Sequence, residues 1–343
     1  MIVTRLPQRQ ACLPQMLHMR ALGEPPSAHL PYAFFMGCYL GFDGGGTKTE
    51  CVALDESGAL IGAGHAGPSN PLRIGFELAL DALLAASGEA VKMLHGDRSA
   101  VRAACAGLAG SSQPAVAKEM RERLAQAFPK AHIRVCTDLG IALEAAGEGP
   151  VVVLIAGTGS AVIGRNRQGQ VARAGGYGPQ IGDEGSAYDV GRRAVAAALR
   201  ARDAVGPATT LTDKILPAIA CPSWEELATR IAEKPDAVFP QLFPVVVESV
   251  GAGDAVASAL LTQAADDLAS LAVSLIRRLD LLGDHFLLAK WGGVFGRSPL
   301  LDRRLEERIS AAASGAQFRD LPMSPAQAAA GLARKTLLRA SAT

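Results

Sequence analysis

One stretch of the sequence decides the fold: residues 39–51 read Tyr-Leu-Gly-Phe-Asp-Gly-Gly-Gly-Thr-Lys-Thr-Glu-Cys. Apolar residues lead into Asp43, and the three glycines that follow free the backbone to turn sharply or to approach a ligand closely. Backbone N–H groups in such a turn can bind an anion, and a carboxylate at a strand end can hold Mg²⁺ through its waters. The stretch is compatible with a phosphate-binding loop, although a plain β-hairpin uses the same glycines.

The composition is ordinary for a soluble globular protein, and the length makes a two-domain α/β enzyme the starting expectation. The chain has 343 residues, of which 49% are hydrophobic and 20% charged, and its net charge is +1. A nearly neutral chain gives no electrostatic reason to expect nucleic acid or an anionic membrane as a partner, which favours a small molecule. The longest apolar runs fall short of a membrane span, and no signal-peptide pattern marks the N-terminus. The six cysteines lack CxxC spacing, so we expect reduced thiols in a cytoplasmic protein.

The first 35 residues carry five prolines and show no sustained helical or strand period. This composition predicts a disordered extension over residues 1–37. Met36 stands just before the first clear strand, so it is also a candidate for the true start of the protein.

Strand and helix patterns alternate through the rest of the chain, which predicts a mixed or parallel sheet. Strands are predicted at 40–43, 50–54, 59–63, 100–106, 133–136, 151–156, 161–164, 170–174, 286–290 and 317–319. Helices are predicted at 76–95, 114–128, 184–202, 210–219, 224–233, 254–282, 301–313 and 325–338, with a further helix beginning at Leu139.

The plan of the first three strands recurs in the middle of the chain. The apolar run 151–156 is followed by a glycine turn at 157–160, a return strand, a second turn and a third strand. Thr47 precedes Gly58 by eleven residues, and Thr158 precedes Gly169 by eleven. The recurrence predicts an internal duplication, with two related lobes that each present one glycine turn to a shared cleft. Two such turns would bind a polyphosphate between them.

Asp138 ends a predicted strand and precedes a predicted helix. A carboxylate in that place can orient a nucleophilic hydroxyl and take its proton during phosphoryl transfer. It can equally cap the helix that begins at Leu139, and position alone leaves both readings open. Asp254 also precedes a helical run and is predicted to be a helix N-cap.

Six motifs carry a family resemblance, and they occur in a fixed order: 43–47, 137–138, 157–160, 175–178, 182–186 and 292–294. In this order they resemble the N-acetylglucosamine kinase branch of the BadF/BadG/BcrA/BcrD ATPase-like family, which shares the actin, sugar kinase and Hsp70 fold. The resemblance covers residues 36–338. It implies two ribonuclease H-like lobes, 38–149 and 150–322, with an ATP cleft between them and the C-terminal helix of 323–343 packed back on the first lobe.

The resemblance also implies roles for individual residues. Asp43 would lie near Mg²⁺, usually through water, and Asp138 would be the catalytic base. Contacts to the phosphates or the nucleotide are expected from Gly45, Gly46, Thr47, Lys48, Gly157, Thr158, Gly159, Ser160, Gly292 and Gly293. Contacts to the sugar are expected from Asn70, Asp138, Tyr177 and Asp183.

Ordinary structural roles remain open for several of these residues. Asp43 can stabilise its own turn, Asn70 can be a turn asparagine, and the glycines at 292–293 can serve a plain turn. One carboxylate of segment 182–186 is expected to cap the helix that follows. Tyr177 stands where kinases of this branch often have Trp, which puts the fine specificity in doubt.

The implied activity is ATP- and Mg²⁺-dependent phosphorylation of a primary hydroxyl of an amino sugar. The 6-hydroxyl of N-acetylglucosamine is the first choice, and glucosamine, N-acetylmuramic acid and glucose are alternatives. A homodimer is common in this fold.

Two other functions remain as rivals. An ATPase activator of the BadF/BcrA type would need cysteines placed around an iron–sulfur cluster, and no obvious cluster-binding loop is present. A ROK-family glucokinase or repressor would want a cysteine-rich zinc loop and, for a repressor, a helix-turn-helix, and neither is visible.

Overall fold

The computed structural model describes residues 37–92 and 98–340, with side chains through residue 338. Of the predicted extension 1–37, only Gly37 lies within these residues. Met36, the candidate for the true start of the protein, also lies outside them. The C-terminal part of the predicted helix 76–95 also falls partly outside them.

Strands and helices alternate along the described chain. The strands are β1 Cys38–Gly44, β2 Thr49–Leu54, β3 Leu60–Ala66, β4 Val101–Leu108, β5 His132–Thr137, β6 Val151–Ala156, β7 Ser160–Arg165, β8 Val171–Gly175, β9 Phe286–Trp291 and β10 Ala316–Asp320. The helices are α1 Pro71–Ile74, α2 Phe76–Ala90, α3 Pro114–Ala127, α4 Asp138–Ala145, α5 Ala187–Arg202, α6 Leu211–Ala218, α7 Trp224–Glu233, α8 Pro235–Val238, α9 Phe243–Gly251, α10 Ala255–Arg278, α11 Pro299–Ala312 and α12 Pro325–Ala340. Short 3₁₀ turns occur at Arg98–Ala100 and Phe239–Leu242.

Two five-stranded mixed sheets share one topology. The first has the order β3-β2-β1-β4-β5 and the second the order β8-β7-β6-β9-β10. In each, three consecutive strands form an antiparallel meander, and two later strands add in parallel beyond its first strand. The predicted α/β class and the repeated plan are therefore confirmed. We call the first sheet with its helices the first lobe, and the second sheet with its helices the second lobe.

Each sheet is covered by apolar helix faces. In the first lobe α2 and α3 bury one face of the sheet, and α12 packs on the other through small residues such as Ala326, Ala330 and Ala333. Gly41 on β1 faces the backbone of α12 so closely that a side chain there would collide with it. In the second lobe α5, α9 and α10 build the largest core cluster. The lobe boundaries at 149/150 and 322/323 remain a prediction.

Helix α4 joins the two lobes. It follows β5 of the first sheet directly, yet its residues Leu139, Leu143 and Ala146 pack against Val151 and Ile163 of the second sheet. Buried apolar contact therefore links the lobes at the side of α4, which we call the base.

Three short helices are absent from the sequence prediction, namely α1, α8 and α9. Each has proline in its first turn, where the missing N–H and the restricted φ of proline are tolerated. Proline therefore stands at the beginning of each of these helices.

Among the described residues, α10 alone has the length and apolar composition of a membrane span, although the sequence analysis found its apolar runs too short. Half of the apolar segment is buried, and the helix contributes Leu261, Leu268 and Leu275 to the core. Asp266 and Asp267 in its middle form ion pairs with arginines of neighbouring helices. These contacts are those of a core helix, and the absence of a membrane partner stays a prediction.

Candidate active site

The first glycine turn lies between β1 and β2. The Gly45 N–H donates to the Lys48 carbonyl at 3.0 Å, and the Gly45 carbonyl accepts from the Ser69 N–H at 3.0 Å. Thr47 and Lys48 at the tip are exposed. The turn is therefore a hairpin, braced from below by the segment that follows β3, with its tip free to meet a ligand.

The second glycine turn lies between β6 and β7. The Gly157 N–H donates to the Gly159 carbonyl at 2.9 Å, and the Gly157 carbonyl accepts from Ala187 at the start of α5 at 2.9 Å. The Oγ1 atoms of Thr47 and Thr158 are 2.7 Å apart, so the two turns meet directly although these threonines are 111 residues apart in sequence. The two predicted phosphate loops are thus brought together at one place, which we call the mouth of the cleft.

A third turn stands beside the second. Gly292 has φ of +118°, and a side chain there would collide with the Ala156 carbonyl. The Val294 N–H donates to that same carbonyl at 3.1 Å. Glycine at 292 is therefore required for close packing of this turn against the strand that leads into the second loop.

Asp138 is the first residue of α4. The N-cap is Thr137, whose Oγ1 accepts the Gly140 N–H at 3.0 Å, so the alternative of Asp138 as the cap is wrong by one residue. The Asp138 carboxylate accepts the Leu139 N–H at 2.9 Å and is half-buried. Burial raises its pKa above the ordinary value, while hydrogen bonds from Leu139 and from its own N–H, together with the charge of Arg173, act in the opposite direction. A carboxylate held in this way can accept a proton more readily than an exposed one.

Asp43 lies on β1 just before the first glycine turn. Its pKa is raised to about 7, first by burial, then by the negative charges of Asp138 and Glu50, and the Lys48 ammonium lowers it. Glu50 is its direct partner on β2. Mutual repulsion of carboxylates in a half-buried site favours a bound cation, and oxygen donors are those that Mg²⁺ prefers.

The residues around the first loop offer few ligands for such an ion. No group of three or more His, Cys, Asp or Glu side chains stands together within metal-binding reach in residues 37–92 and 98–340. Mg²⁺ at a phosphoryl-transfer site keeps several waters and needs only one or two carboxylates besides the phosphates. Asp43 alone therefore satisfies the requirement from the protein side.

Segment 175–186 supports the second loop. Asp183 has φ of +62°, an unusual conformation for a residue other than glycine, and it is 7% exposed. Burial raises its pKa, whereas N–H groups of Ser160 and Gly178 donate to it and lower the pKa. A side chain at Gly159 would lie 2.6 Å from the Asp183 carboxylate. The carboxylate thus lies directly beneath the second loop.

Ser160 is engaged within the chain as well. Its hydroxyl donates to the Glu184 carbonyl at 2.8 Å, and its side chain is buried. Both donors of Ser160 are therefore used to hold segment 175–186 against the loop, which favours a supporting role over the phosphate contact expected from the sequence.

The cap of α5 differs from the expectation. Ser186 accepts the Asp189 N–H, and the Asp189 carboxylate accepts the Gly185 N–H at 3.1 Å. The expectation that a carboxylate of segment 182–186 caps this helix is therefore wrong. The serine thus satisfies one N–H in the first turn of the helix, and the acidic residue three positions later satisfies the N–H of the residue before the cap.

Two residues expected at the sugar have structural partners too. The Asn70 carbonyl oxygen accepts the Leu72 N–H at 3.0 Å and caps α1, while its amide nitrogen still offers two donors. The Tyr177 ring is 62% exposed, and the Arg173 guanidinium lies 5.4 Å from its centroid.

Two arginines near these groups escaped the sequence analysis. Arg173 on β8 stacks on Tyr177, and its charge reaches Asp138. Arg73 on α1 lies beside Gly46 and pairs with Asp236 of the second lobe. In the sequence, Arg173 is marked only by its position two residues before Gly175-Gly176, and no sequence feature marks Arg73.

Comparison with known proteins agrees with the geometry. The model of the BadF/BadG/BcrA/BcrD ATPase family matches residues 40–333. N-acetyl-D-glucosamine kinase of Dictyostelium discoideum is 31% identical over 86% of this chain and 97% of its own length. N-acetylmuramic acid/N-acetylglucosamine kinase of Clostridium acetobutylicum is 31% identical over 74% of this chain and 84% of its own.

A solved structure has the same architecture. A protein of Chromobacterium violaceum, provisionally named an N-acetylglucosamine kinase, superimposes with a TM-score of 0.71 at 26% identity, covering 87% of this chain and 99% of that one. The predicted fold and the family resemblance are confirmed. With two glycine loops in direct contact and a family model that spans most of its length, the chain belongs to the BadF/BadG/BcrA/BcrD ATPase family.

Proposed function

We propose that the protein is an ATP-dependent sugar kinase that phosphorylates a primary hydroxyl of an amino sugar. The single observation that carries the proposal is the contact of Thr47 and Thr158, at which two glycine loops face each other. Kinases among the similar proteins, named above, support the same activity.

The loops would bind the phosphates of ATP through backbone N–H groups and the threonine hydroxyls. Gly46, Thr47 and Lys48 act from the first lobe, and Thr158 and Gly159 act from the second. Gly292 and Gly293 would let the backbone approach the nucleoside. Because the donors come from both lobes, ATP binding and lobe closure would favour each other.

Asp138 is the proposed base. It would orient the sugar hydroxyl and take its proton while the bond from that oxygen to the γ-phosphorus forms and the bond to the leaving ADP oxygen breaks. Its raised pKa, which burial causes, suits a group that must accept a proton.

Asp43 would hold Mg²⁺ through water. The ion, when bound, neutralises charge on the phosphate oxygens. The carboxylate of Asp43 would accept hydrogen bonds from the waters of the ion, and the negative charge of Asp138 would add to the potential that attracts a cation.

The acceptor would be bound by Asn70, Tyr177 and Asp183 together with Asp138. N-acetylglucosamine is the acceptor that we propose first, because both curated relatives named above are N-acetylglucosamine kinases. Glucosamine, N-acetylmuramic acid and glucose differ from it at C2 or C3 and form the comparison set. A cytoplasmic location, a homodimer and the lack of nucleic-acid or membrane partners remain predictions from the sequence.

The rival activator function is disfavoured by where the thiols lie. Of the five cysteines that the structure describes, Cys136 is half-buried, and the other four, Cys38, Cys51, Cys105 and Cys221, are buried and do not face a cluster between subunits. Iron in the purified protein with a brown colour would reverse this ranking.

The proposal is tested by Asp138→Asn in a coupled assay of ADP release over the four sugars. The variant is expected to lose about 10²–10⁴-fold in kcat, because the hydroxyl then lacks its proton acceptor. ATP binding, measured by calorimetry, is expected to persist. Asp213→Asn, at an exposed carboxylate in the first turn of α6, is the matched control. Near-normal turnover of Asp138→Asn would contradict the assignment.

A further inference from the structure

An ion pair crosses the mouth of the cleft. Arg73 lies on α1 of the first lobe and Asp236 on α8 of the second, and the Arg73 Nη2 atom is 2.6 Å from the Asp236 carboxylate. Their side chains are 26% and 43% exposed. The pair therefore joins the lobes beside the first glycine loop, where water can still reach it.

Arg73 also contacts the first glycine loop. A Cβ atom at Gly46 would lie 2.5 Å from the Arg73 Nη1 atom, so the guanidinium lies directly against the backbone of the loop. One side chain therefore connects the first loop to the second lobe. Its position is set locally by α1, which Asn70 caps and Pro71 begins.

The charge of Arg73 reaches groups of the second lobe. The pKa of Asp183, raised by burial, is lowered by Arg73, and Asp183 lies beneath the second glycine loop. The pKa of Tyr188, raised by burial and then by Asp236, is lowered by Arg192 and Arg73. The guanidinium therefore lies against the first loop, and its charge acts on the carboxylate beneath the second loop.

We infer that Arg73 is a positioning residue and that its pair with Asp236 is a strap that holds the two glycine loops face to face. The strap sets how much of the unliganded protein is closed at the mouth. A ligand that binds only the closed form has an apparent affinity reduced by the closed fraction. Because saturating substrate restores closure, the strap is expected to change KM much more than kcat. This kinetic consequence rests on the proposed kinase activity.

Charge reversal tests the strap. Arg73→Glu and Asp236→Arg each place like charges at the mouth. Each variant is expected to raise KM for ATP and for the sugar about two- to tenfold. The expected increase is modest because a partly exposed ion pair is weak. The kcat is expected to stay within about twofold. The double variant Arg73→Glu/Asp236→Arg restores opposite charges and is expected to recover most of the loss.

The matched control is an ion pair that lies within one lobe. Lys214 on α6 and Glu248 on α9 are 2.8 Å apart, with side chains 27% and 73% exposed. Lys214→Glu reverses a comparable charge without touching the mouth, and it is expected to leave KM unchanged.

Hydrogen exchange measured by mass spectrometry provides a readout independent of catalysis. In the unliganded protein, amides of residues 44–48 are expected to exchange faster in either single reversal, to recover in the double variant and to be unaffected by Lys214→Glu. If the wild type phosphorylates none of the four sugars while exchange follows this pattern, the proposed function fails and the strap stands. Unchanged exchange in both reversals, or a double variant that does not recover, would overturn the strap.

Discussion

The base and the mouth of the cleft join the same two lobes by opposite means. At the base, Leu139 and Leu143 of α4 are buried against Val151 and Ile163 of the second sheet. At the mouth, the lobes meet through one pair of hydroxyls and the ion pair of Arg73 and Asp236, all partly exposed. Burial of apolar surface is lost only when the lobes separate, whereas exposed polar contacts exchange readily with water. The difference indicates a fixed base and a mouth that can open.

Asp138, the proposed proton acceptor, lies in the fixed region of the molecule. Asp138 begins the helix whose apolar face forms the base, and Thr137 caps that helix. The carboxylate therefore keeps its place when the mouth opens, while the loops that would bind phosphate move relative to each other. Proton transfer would therefore depend on the fixed region at α4, and ligand entry would depend on opening of the mouth.

Truncation at the base gives the largest expected effect on stability. Leu143→Ala is expected to lower the free energy of unfolding by about 2–4 kcal/mol, because it removes buried methyl groups and leaves a cavity between the lobes. Urea denaturation measures the loss. Leu282→Ala, at a side chain that is 41% exposed, is the control, and its loss is expected to stay under about 0.5 kcal/mol. Equal losses at the two positions would remove the distinction between the base and the surface.

The pH dependence of stability tests the carboxylates beside the first loop. The pKa of Asp43 rises from 3.8 to about 7 on folding, so between these values the folded state binds a proton that the unfolded state does not. This contribution to stability is present at low pH and is lost as pH rises through about 7.

Asp43→Asn removes this dependence. Relative to the wild type without ligands, the variant is expected to gain about 1–3 kcal/mol between pH 4 and pH 7.5, measured by urea denaturation at each pH. Asp81→Asn, on the exposed face of α2, is the control and should follow the wild type. A parallel pH profile for Asp43→Asn would show that Asp43 titrates at its ordinary value.

The smallest effect is expected at the mouth. Thr158→Val keeps the shape of the side chain but removes the hydroxyl that meets Thr47. Stability is expected to change by less than about 1 kcal/mol, since the bond is exposed to water. KM for ATP is expected to rise about two- to fivefold, because the hydroxyl that contacts Thr47 and is proposed to contact phosphate is lost.

The control for that variant is Thr336→Val on α12, whose hydroxyl donates to the Leu332 carbonyl within the same helix. It should leave KM unchanged. If Thr158→Val lost as much stability as Leu143→Ala, the contacts at the mouth would stabilise the protein as strongly as those at the base.

Features with a local cause were predictable. Asp254 was predicted to cap a helix, and the structure confirms it: its carboxylate accepts N–H groups of Ala257 and Thr210. These bonds and those from two threonine hydroxyls lower its pKa to about 2 against the effect of burial. By contrast, the caps at Thr137 and Ser186 were missed by one residue or more, because neighbouring Asp, Thr and Ser are all suitable caps and only the backbone decides among them.

The sequence by itself determined the repeated strand plan, the two glycine turns and the family, since glycine, strand period and motif order act through neighbours in the chain. Only the tertiary structure decided that Thr47 meets Thr158, that Asp183 lies beneath Gly159 and that Arg73 pairs with Asp236. Each of those contacts joins distant segments, so it depends on how two separately formed sheets pack around α4. The first glycine turn therefore marks the proposed phosphate site, and the packing of the lobes decides which groups face it.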